Sequence, residues 1–161
     1  MDDTFQGAPS RRFDSPQQEA YLNLWRTYDR LRMVEDELFD KYDLTAQQYN
    51  ALRLLRGHRP EKLPTLALAS RLVSHAPDIT RLLDKLERRG LIERERMADN
   101  RRVVLVGITA EGIALLRELD TPVRECNLKQ LGHLSDEQLT TLAQLLKLAR
   151  QPHEPDGAAW R

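Results

Sequence analysis

Hydrogen-bond donors recur along one side of a predicted helix in the middle of the chain. The apolar residues of this helix have the i, i+3, i+4 and i+7 spacing of one buried face: Ile79, Leu82, Leu83 and Leu86. The other side then presents Thr80, Arg81, Asp84, Lys85 and Arg88. A helix with several donors on one side fits a DNA major groove, where hydrogen bonds read base edges. The alternative interpretation is a solvated helix with ordinary surface charge.

A predicted β-hairpin follows this helix directly. Gly90 ends the helix, and two β-runs, 91–96 and 102–108, flank a short polar turn. Near the turn lie Asn100, Arg101 and Arg102, which could reach an adjacent minor groove. From residue 71 to 102 the chain has nine Lys/Arg against six Asp/Glu, a difference of +3, although the whole chain has 25 of each sign. A wing behind a basic helix favours nucleic-acid binding over the solvated alternative.

Short helices before the hairpin complete a helix-turn-helix pattern. Thr45 to Gln48 is typical of a capping box, and it opens a helix that we expect to end at Gly57. The polar stretch 56–64 is predicted to be a connector, followed by a second short helix over 66–72. Pro77 suits the first turn of the basic helix. Two short helices joined by a tight turn, the second one basic, indicate a DNA-binding motif.

Long helical patterns flank this lobe. Residues 16–41 and 109–131 have apolar helical spacing, and Ser135 begins a second capping box before the last helix. Pro122 predicts a kink or a break near Leu119. The N-terminal helix and the two C-terminal helices together carry more leucine than the middle lobe can cover. This excess favours a helical dimer interface.

Composition excludes several classes of protein. The chain has 161 residues, 31% of them charged and only 6% aromatic, which favours a mainly helical protein over an all-β fold. The single cysteine, Cys126, excludes an internal disulfide and is read as a small core residue. The N-terminus has no signal-peptide pattern and no apolar run is long enough to span a membrane, so we expect a soluble cytoplasmic protein. Metal-ligand spacings, phosphate-binding loops and nucleophile motifs are also missing, so we expect no cofactor and no enzyme activity.

The residues described above resemble the MarR family of bacterial winged-helix transcription regulators. The resemblance rests on P-D-I-T-R-L-L-D-K-L-E-R-R-G-L-I-E-R, residues 77–94, and D-N-R-R-V-V-L-V-G-I-T-A-E-G, residues 99–112. The family's wing motif, D-x-R followed by (L/I)-T-x-x-G, is met here by Asp99, Arg101, Ile108, Thr109 and Gly112. The resemblance extends more loosely from Tyr21 to Leu148. It implies a homodimer in which each subunit offers one winged lobe to half of a palindromic operator.

The resemblance also implies roles for individual residues. Thr80 and Arg81 would lie near base edges in the major groove, and Lys85 would reach phosphate. At the mouth of the groove would lie Ser74, His75 and Asp78, with Ser74 suited to capping the helix or binding phosphate. Arg101 would enter the minor groove, and Asp99 would hold its guanidinium or the wing backbone. The sequence His75-Ala76-Pro77 places one more residue in the turn than the commoner family pattern has. This extra residue can shift the base contacts by one position.

Members of this family often bind small phenolic or lipophilic effectors. Here the resemblance implies a crevice between the dimer helices and the winged lobe, drawing on Trp25, Tyr28, Arg32 and Tyr49. Aromatic rings beside one arginine could hold an aromatic carboxylate. The alternative for each residue is an ordinary core aromatic or a surface arginine. Part of the family senses peroxide through a cysteine near the start of its first helix, whereas Cys126 lies late in this chain.

Together these features predict a mainly α fold with a small β-wing. We expect a flexible arm at 1–15, a dimerisation helix at 16–43, a winged helix-turn-helix lobe at 44–112, C-terminal dimerisation helices at 113–150 and a tail at 151–161. Within the lobe, the recognition helix is expected at about 76–89 and the wing at 91–108. The predicted function is a sequence-specific transcriptional regulator, most simply a repressor released by a small-molecule effector. The alternative is a winged helix used for protein–protein contact without DNA binding.

Overall fold

A computed structural model describes residues 13–74 and 78–154 of the chain. Residues 1–12 of the predicted arm, the turn His75-Ala76-Pro77 and residues 155–161 of the predicted tail lie outside the described residues. The chain divides into two compact units, the first ending at Met33 and the second beginning at Val34. The elements in order are α1 (Pro16–Asp40), α2 (Ala46–His58), β1 (Leu63–Pro64), α3 (Thr65–Arg71), α4 (Ile79–Arg88), β2 (Ile92–Arg96), β3 (Val104–Ile108), α5 (Ala110–Leu131), α6 (Asp136–Arg150) and a short 3-10 helix (Gln151–His153).

Side-chain caps fix the starts of three helices, as the sequence predicts. At α2, the Thr45 hydroxyl accepts from the Gln48 backbone N–H, while the Gln48 side chain accepts from the Thr45 N–H. The same reciprocal pair opens α6, from Ser135 to Gln138. Thr109 caps α5 through Gly112. These contacts satisfy backbone donors that would otherwise have no partner within the helix.

Two predicted helix boundaries differ from the structure, as does one of the two outcomes, a kink or a break, that Pro122 predicts. α2 continues past Gly57 to His58, because the residue that leaves the helical conformation is Arg59, which precedes Pro60. α4 begins at Ile79 rather than near residue 76, because Asp78 is non-helical and caps it. α5 passes through Pro122 without a break. Pro122 removes one helical hydrogen bond and its ring crowds the carbonyl four residues earlier, but buried residues on either side, Leu119 and Cys126, pack the helix and offset this cost.

A small antiparallel sheet has the strand order β1-β3-β2. β2 and β3 form the predicted hairpin, with Arg94 opposite Val106 and Glu95 opposite Leu105. β1 was predicted to be part of a polar connector. Its two residues are too few to show a period-2 pattern, yet Leu63 pairs with Val106, and Pro64 is tolerated because β1 is an edge strand.

Leucine dominates the hydrophobic core of the second unit. Its fully buried side chains come from the end of α1 and from α2, α3, α4, β3 and α5, and include Phe39, Leu52, Leu55, Leu68, Leu83, Leu86, Val106, Leu116 and Leu119. Gly112 allows α5 to approach the end of α4 closely, since an added Cβ would lie 2.3 Å from the Leu91 carbonyl oxygen. The core therefore holds α4 against the sheet with its opposite face outward. Each helix in the described part of the chain is too short or too polar to cross a membrane.

Candidate nucleic-acid interface

α4 has the two faces that its sequence predicts. Leu82, Leu83 and Leu86 are buried, and Ile79 is partly buried against the same core. The exposed residues on the other side are Thr80, Arg81, Lys85 and Arg88. The helix thus presents hydroxyl, guanidinium and ammonium donors from one surface, the chemistry that base edges and phosphates require.

Asp78, rather than Ser74, caps the N-terminus of α4. The Asp78 carboxylate accepts a hydrogen bond from the Arg81 backbone N–H at 2.9 Å. The sequence suits Ser74 either to capping the helix or to binding phosphate, but Ser74 lies five positions before Ile79, the first helical residue, and its hydroxyl accepts from the Gln47 side chain at 3.1 Å. His75, a predicted DNA contact, lies outside the described residues.

Side chains from α2 hold the segment that leads toward α4. The Asn50 side chain accepts from the Val73 backbone N–H at 2.9 Å, close to the Gln47–Ser74 contact. Both amides lie on the exposed end of the helix-turn-helix rather than in its core. Ser74 is therefore tied to α2, although it remains exposed.

The wing tip is built by Asn100. Its backbone carbonyl accepts from Val103 N–H at 2.9 Å, and its side-chain oxygen accepts from Arg102 N–H at 3.2 Å. This places the side chains of Arg101 and Arg102 on the exposed end of the hairpin. Asn100 is thus a structural residue of the turn as well as a predicted DNA contact.

Arg96, not Asp99, secures the backbone at Arg101. The Arg96 guanidinium donates to the Arg101 carbonyl at 3.1 Å. Asp99 was expected to hold either the Arg101 guanidinium or the wing backbone. Between residues 78 and 154, however, no ion pair or side-chain hydrogen bond links Asp99 to either group. Asp99 remains exposed at the tip.

Two sets of ion pairs neutralise most carboxylates around α4 and β2. The Arg94 guanidinium lies 2.6 Å from Asp84 and 2.5 Å from Glu87, both on α4. On the other side of β2, the Lys62 ammonium lies 2.9 Å from Glu93 and 2.8 Å from Glu95. Hydrogen bonds to these carboxylates raise the pKa of Arg94 and the pKa of Lys62, so both stay charged.

The C-terminal end of α4 is fastened to the loop after α1. The Arg89 guanidinium donates to the carbonyl oxygens of Tyr42, at 3.0 Å, and of Asp43. A surface cavity of about 440 Å³ adjoins this contact, and Lys85 and Arg88 lie on its rim. The role of Arg89 could not be read from its sequence position, because its partners are backbone atoms 46 and 47 residues away.

The four predicted effector residues have different environments. Trp25 and Tyr28 are 61% and 59% exposed on the part of α1 within the first unit, and Arg32 is also exposed there. Tyr49 belongs to the second unit, where its ring lies 4.7 Å from the Phe39 ring. Burial raises the pKa of the Tyr49 phenol. Tyr49 is therefore a core aromatic, the alternative that its sequence also allowed.

Cys126 is buried in the second unit, as predicted. Its thiol lies 3.8 Å from the Val34 carbonyl oxygen, and burial raises the pKa of the thiol. A raised pKa keeps the sulfur protonated, whereas oxidation and thiol exchange need the thiolate. This environment is that of a structural cysteine.

Comparison with known proteins relates this geometry to a family. A model described as "MarR family" matches residues 44–104. A crystal structure of a MarR transcription factor from Planctomyces limnophilus is 55% identical, covering 85% of this chain and 99% of that chain with a TM-score of 0.69. The organic hydroperoxide resistance transcriptional regulator of Bacillus subtilis is 35% identical over 117 residues, 71% of this chain and 78% of that protein. A crystal structure of the S. aureus MepR–DNA complex is 26% identical, covering 82% and 96% of the two chains with a TM-score of 0.69.

Proposed function

This chain belongs to the MarR family of transcriptional regulators, and from that premise we propose that it is a homodimeric repressor. It binds a palindromic DNA site, one winged lobe on each half. A small-molecule effector then releases it. The observation that carries the proposal is the exposed donor surface of α4 followed by the arginines of the wing tip.

The proposed DNA contacts are divided between two grooves. Thr80 and Arg81 read base edges in the major groove, where an arginine can donate two parallel hydrogen bonds to guanine. Lys85 binds phosphate, and Ser74 lies close to the backbone at the groove edge. Arg101 enters the minor groove, where a narrow, negative groove favours a guanidinium. The remaining predicted contacts, less direct, are His75, Asp78, Asp99, Asn100 and Arg102.

Two uncovered apolar surfaces support the homodimer. In the first unit, besides the proposed effector residues, α1 exposes Tyr21, Leu22, Leu24 and Met33. In the second unit, α6 has fifteen residues and none of them is buried, while Leu145 and Leu148 are about three-fifths exposed. A helix of this length is only marginally stable without packing. A second copy of the chain would bury both surfaces, as symmetric oligomers do.

Effector release needs a ligand that prefers the geometry unable to bind DNA. The proposed effector is a small phenol or aromatic acid, and the exposed rings of Trp25 and Tyr28 are available to stack on it. Arg32, on the same helix, supplies a cation for a carboxylate. Tyr49 does not belong in this set, because its ring already packs in the core.

The first experiment measures binding to the intergenic DNA upstream of the protein's own coding sequence. We expect a discrete complex that resists excess nonspecific competitor. With about six phosphate contacts in the dimer, its affinity should fall about 10³-fold between 50 and 200 mM salt. A winged helix used only for protein–protein contact would give no competitor-resistant complex; such a result, or a DNA affinity that did not change with salt, would contradict the proposal.

Matched variants then test the surface itself. Arg81→Ala and Arg101→Ala should each weaken the specific complex, and the double variant should lose it. Arg117→Ala is the control, because this exposed arginine of α5 lies outside the α4 and wing surface. Survival of the complex in the double variant would refute the proposed site, whatever the fold.

A further inference from the structure

We propose that Arg94 is a positioning residue for DNA binding: it locks the wing to α4, so that both can engage DNA at once. We call Arg94 and its two carboxylate partners, Asp84 and Glu87, the helix–wing clamp. The inference rests on the proposed function and adds to it a residue that need not touch DNA.

The clamp joins two elements through three hydrogen bonds. Arg94 Nη2 donates to Asp84 Oδ1 at 2.6 Å and to Glu87 Oε2 at 2.5 Å, and Arg94 Nε donates to the same Glu87 oxygen at 3.0 Å. Asp84 and Glu87 lie three residues apart, on one face of α4. The Arg94 side chain is only 23% exposed, and both its Nε and its Nη2 donate to these carboxylates. Arg94 therefore serves the protein's own structure rather than a phosphate.

β2 carries the restraint from the base of the wing to its tip. Arg94 and Arg96 are two residues apart on this strand, so their side chains leave it on the same face. Arg94 holds the base of the wing to α4, and Arg96 donates to the Arg101 carbonyl at 3.1 Å. The backbone of the proposed minor-groove residue is thus connected to the recognition helix through two consecutive arginine contacts.

The helix–wing clamp couples the proposed contact of α4 with DNA to the proposed contact of Arg101. When α4 and the wing are one rigid body, binding of α4 brings Arg101 to its groove at high effective concentration. Without the clamp, the wing must be ordered during binding, and that ordering lowers affinity. The expected signature is a loss of cooperation between the two contacts, in addition to a loss of affinity.

Lys62 offers a matched control. Like Arg94 it is one cation with two carboxylate partners, and its side chain is 25% exposed. Its partners, Glu93 and Glu95, lie on the opposite face of β2, so this cluster braces the sheet without touching α4. Lys62→Gln and Arg94→Gln remove the same charge from the same small sheet. Only Arg94→Gln removes the link to the recognition helix.

The experiment measures binding of the full-length variants to the protein's own upstream intergenic DNA, after thermal melts establish that each variant is folded. Arg94→Gln should weaken the competitor-resistant complex roughly tenfold, as loss of a preorganised segment predicts. Lys62→Gln should change it by less than about threefold, in line with one surface charge at the wing. Arg94→Lys keeps the charge with a single ammonium, and its DNA affinity should lie between that of Arg94→Gln and that of the unaltered protein.

A double-variant cycle measures the coupling between Arg94 and Arg101 in DNA binding. This coupling would be absent if Arg94 only stabilised the fold. Arg101→Ala should lower the affinity for the specific DNA about tenfold in the unaltered protein and in Lys62→Gln. In Arg94→Gln the same substitution should lower it less than about threefold, because the wing tip of that variant no longer reaches its groove in register. Equal losses from Arg94→Gln and Lys62→Gln, or an undiminished effect of Arg101→Ala in Arg94→Gln, would overturn the inference while leaving the proposed function intact. Failure of the unaltered protein to form the complex would overturn the proposed function, and the inference with it.

Discussion

The position of Asp78 allows two roles, capping of α4 and direct contact with DNA. Its carboxylate accepts a 2.9 Å hydrogen bond from the Arg81 backbone N–H. It is exposed and lies at the N-terminus of the proposed recognition helix, where the proposed DNA complex would bring phosphates close. Two substitutions distinguish the roles. Asp78→Asn keeps a capping side chain and removes the charge, whereas Asp78→Ala removes both.

The expected effects on stability follow from the cap. Asp78→Ala should lower the free energy of unfolding by about 1 kcal/mol, the usual cost of losing a side-chain cap. Asp78→Asn should cost only about 0.3–1 kcal/mol, since an amide caps almost as well and only the favourable charge at the helix N-terminus is lost. Urea unfolding of the two variants beside the unaltered protein measures both differences.

DNA binding should also rank Asp78→Asn above Asp78→Ala, but here the unaltered protein should no longer rank first. A carboxylate facing phosphates opposes binding, so Asp78→Asn should bind DNA equally or up to about fivefold more tightly at low salt, a range set by the strength of exposed charge pairs. Asp78→Ala should bind more weakly than Asp78→Asn, because the first turn of α4 is less ordered. Fluorescence anisotropy on specific and nonspecific duplexes checks both. A tenfold loss in Asp78→Asn, confined to the specific duplex, would refute the view that Asp78 acts only as a cap and would indicate that its carboxylate also accepts a hydrogen bond from a base such as cytosine.

Four further substitutions have defined outcomes. Gly112→Ala should lower the free energy of unfolding by about 3 kcal/mol or more, because its Cβ would lie 2.3 Å from the Leu91 carbonyl oxygen in a packed core; a thermal melt measures the loss. Cys126→Ala should leave the effect of an organic hydroperoxide on DNA binding unchanged in gel shifts, because burial raises the pKa of the native thiol and little thiolate is present to react. Arg81→Ala should cost about 1–3 kcal/mol of discrimination between specific and nonspecific DNA, whereas Arg101→Ala should reduce the steepness of the salt dependence, as titrations at several salt concentrations would show.

Local signals in the sequence account for most of the helical architecture. A capping box needs residues three apart, and a buried helix face needs apolar residues three and four apart, so both are visible without tertiary information. The faces of α4 and the caps at Thr45, Thr109 and Ser135 were predictable for this reason. Ser74 and Asp78 are both good capping residues. Only the observed start of the helix decides between them.

Features that depend on distant partners could not be predicted in the same way. β1 is a strand only because Leu63 pairs with Val106, 43 residues later in the sequence. Pro122 predicts a kink or a break when considered alone, yet α5 continues through it without a break, and buried Leu119 and Cys126 pack the helix on both sides of it. In both cases tertiary packing overrides a correct local preference.

Counting charges reveals a basic segment but not which cations are available to a ligand. Arg94 and Arg96 contribute to the predicted positive charge as much as Arg81 and Arg101 do. Arg94, however, is engaged by two carboxylates and Arg96 by a backbone carbonyl, so these two shape the surface that the others present. A guanidinium without carboxylate partners binds phosphate, whereas a guanidinium held by carboxylates fixes the position of one structural element relative to another. It follows that two arginine substitutions within one short hairpin should differ in kind: loss of Arg101 removes a contact with DNA, and loss of Arg94 removes the geometry that makes this contact possible.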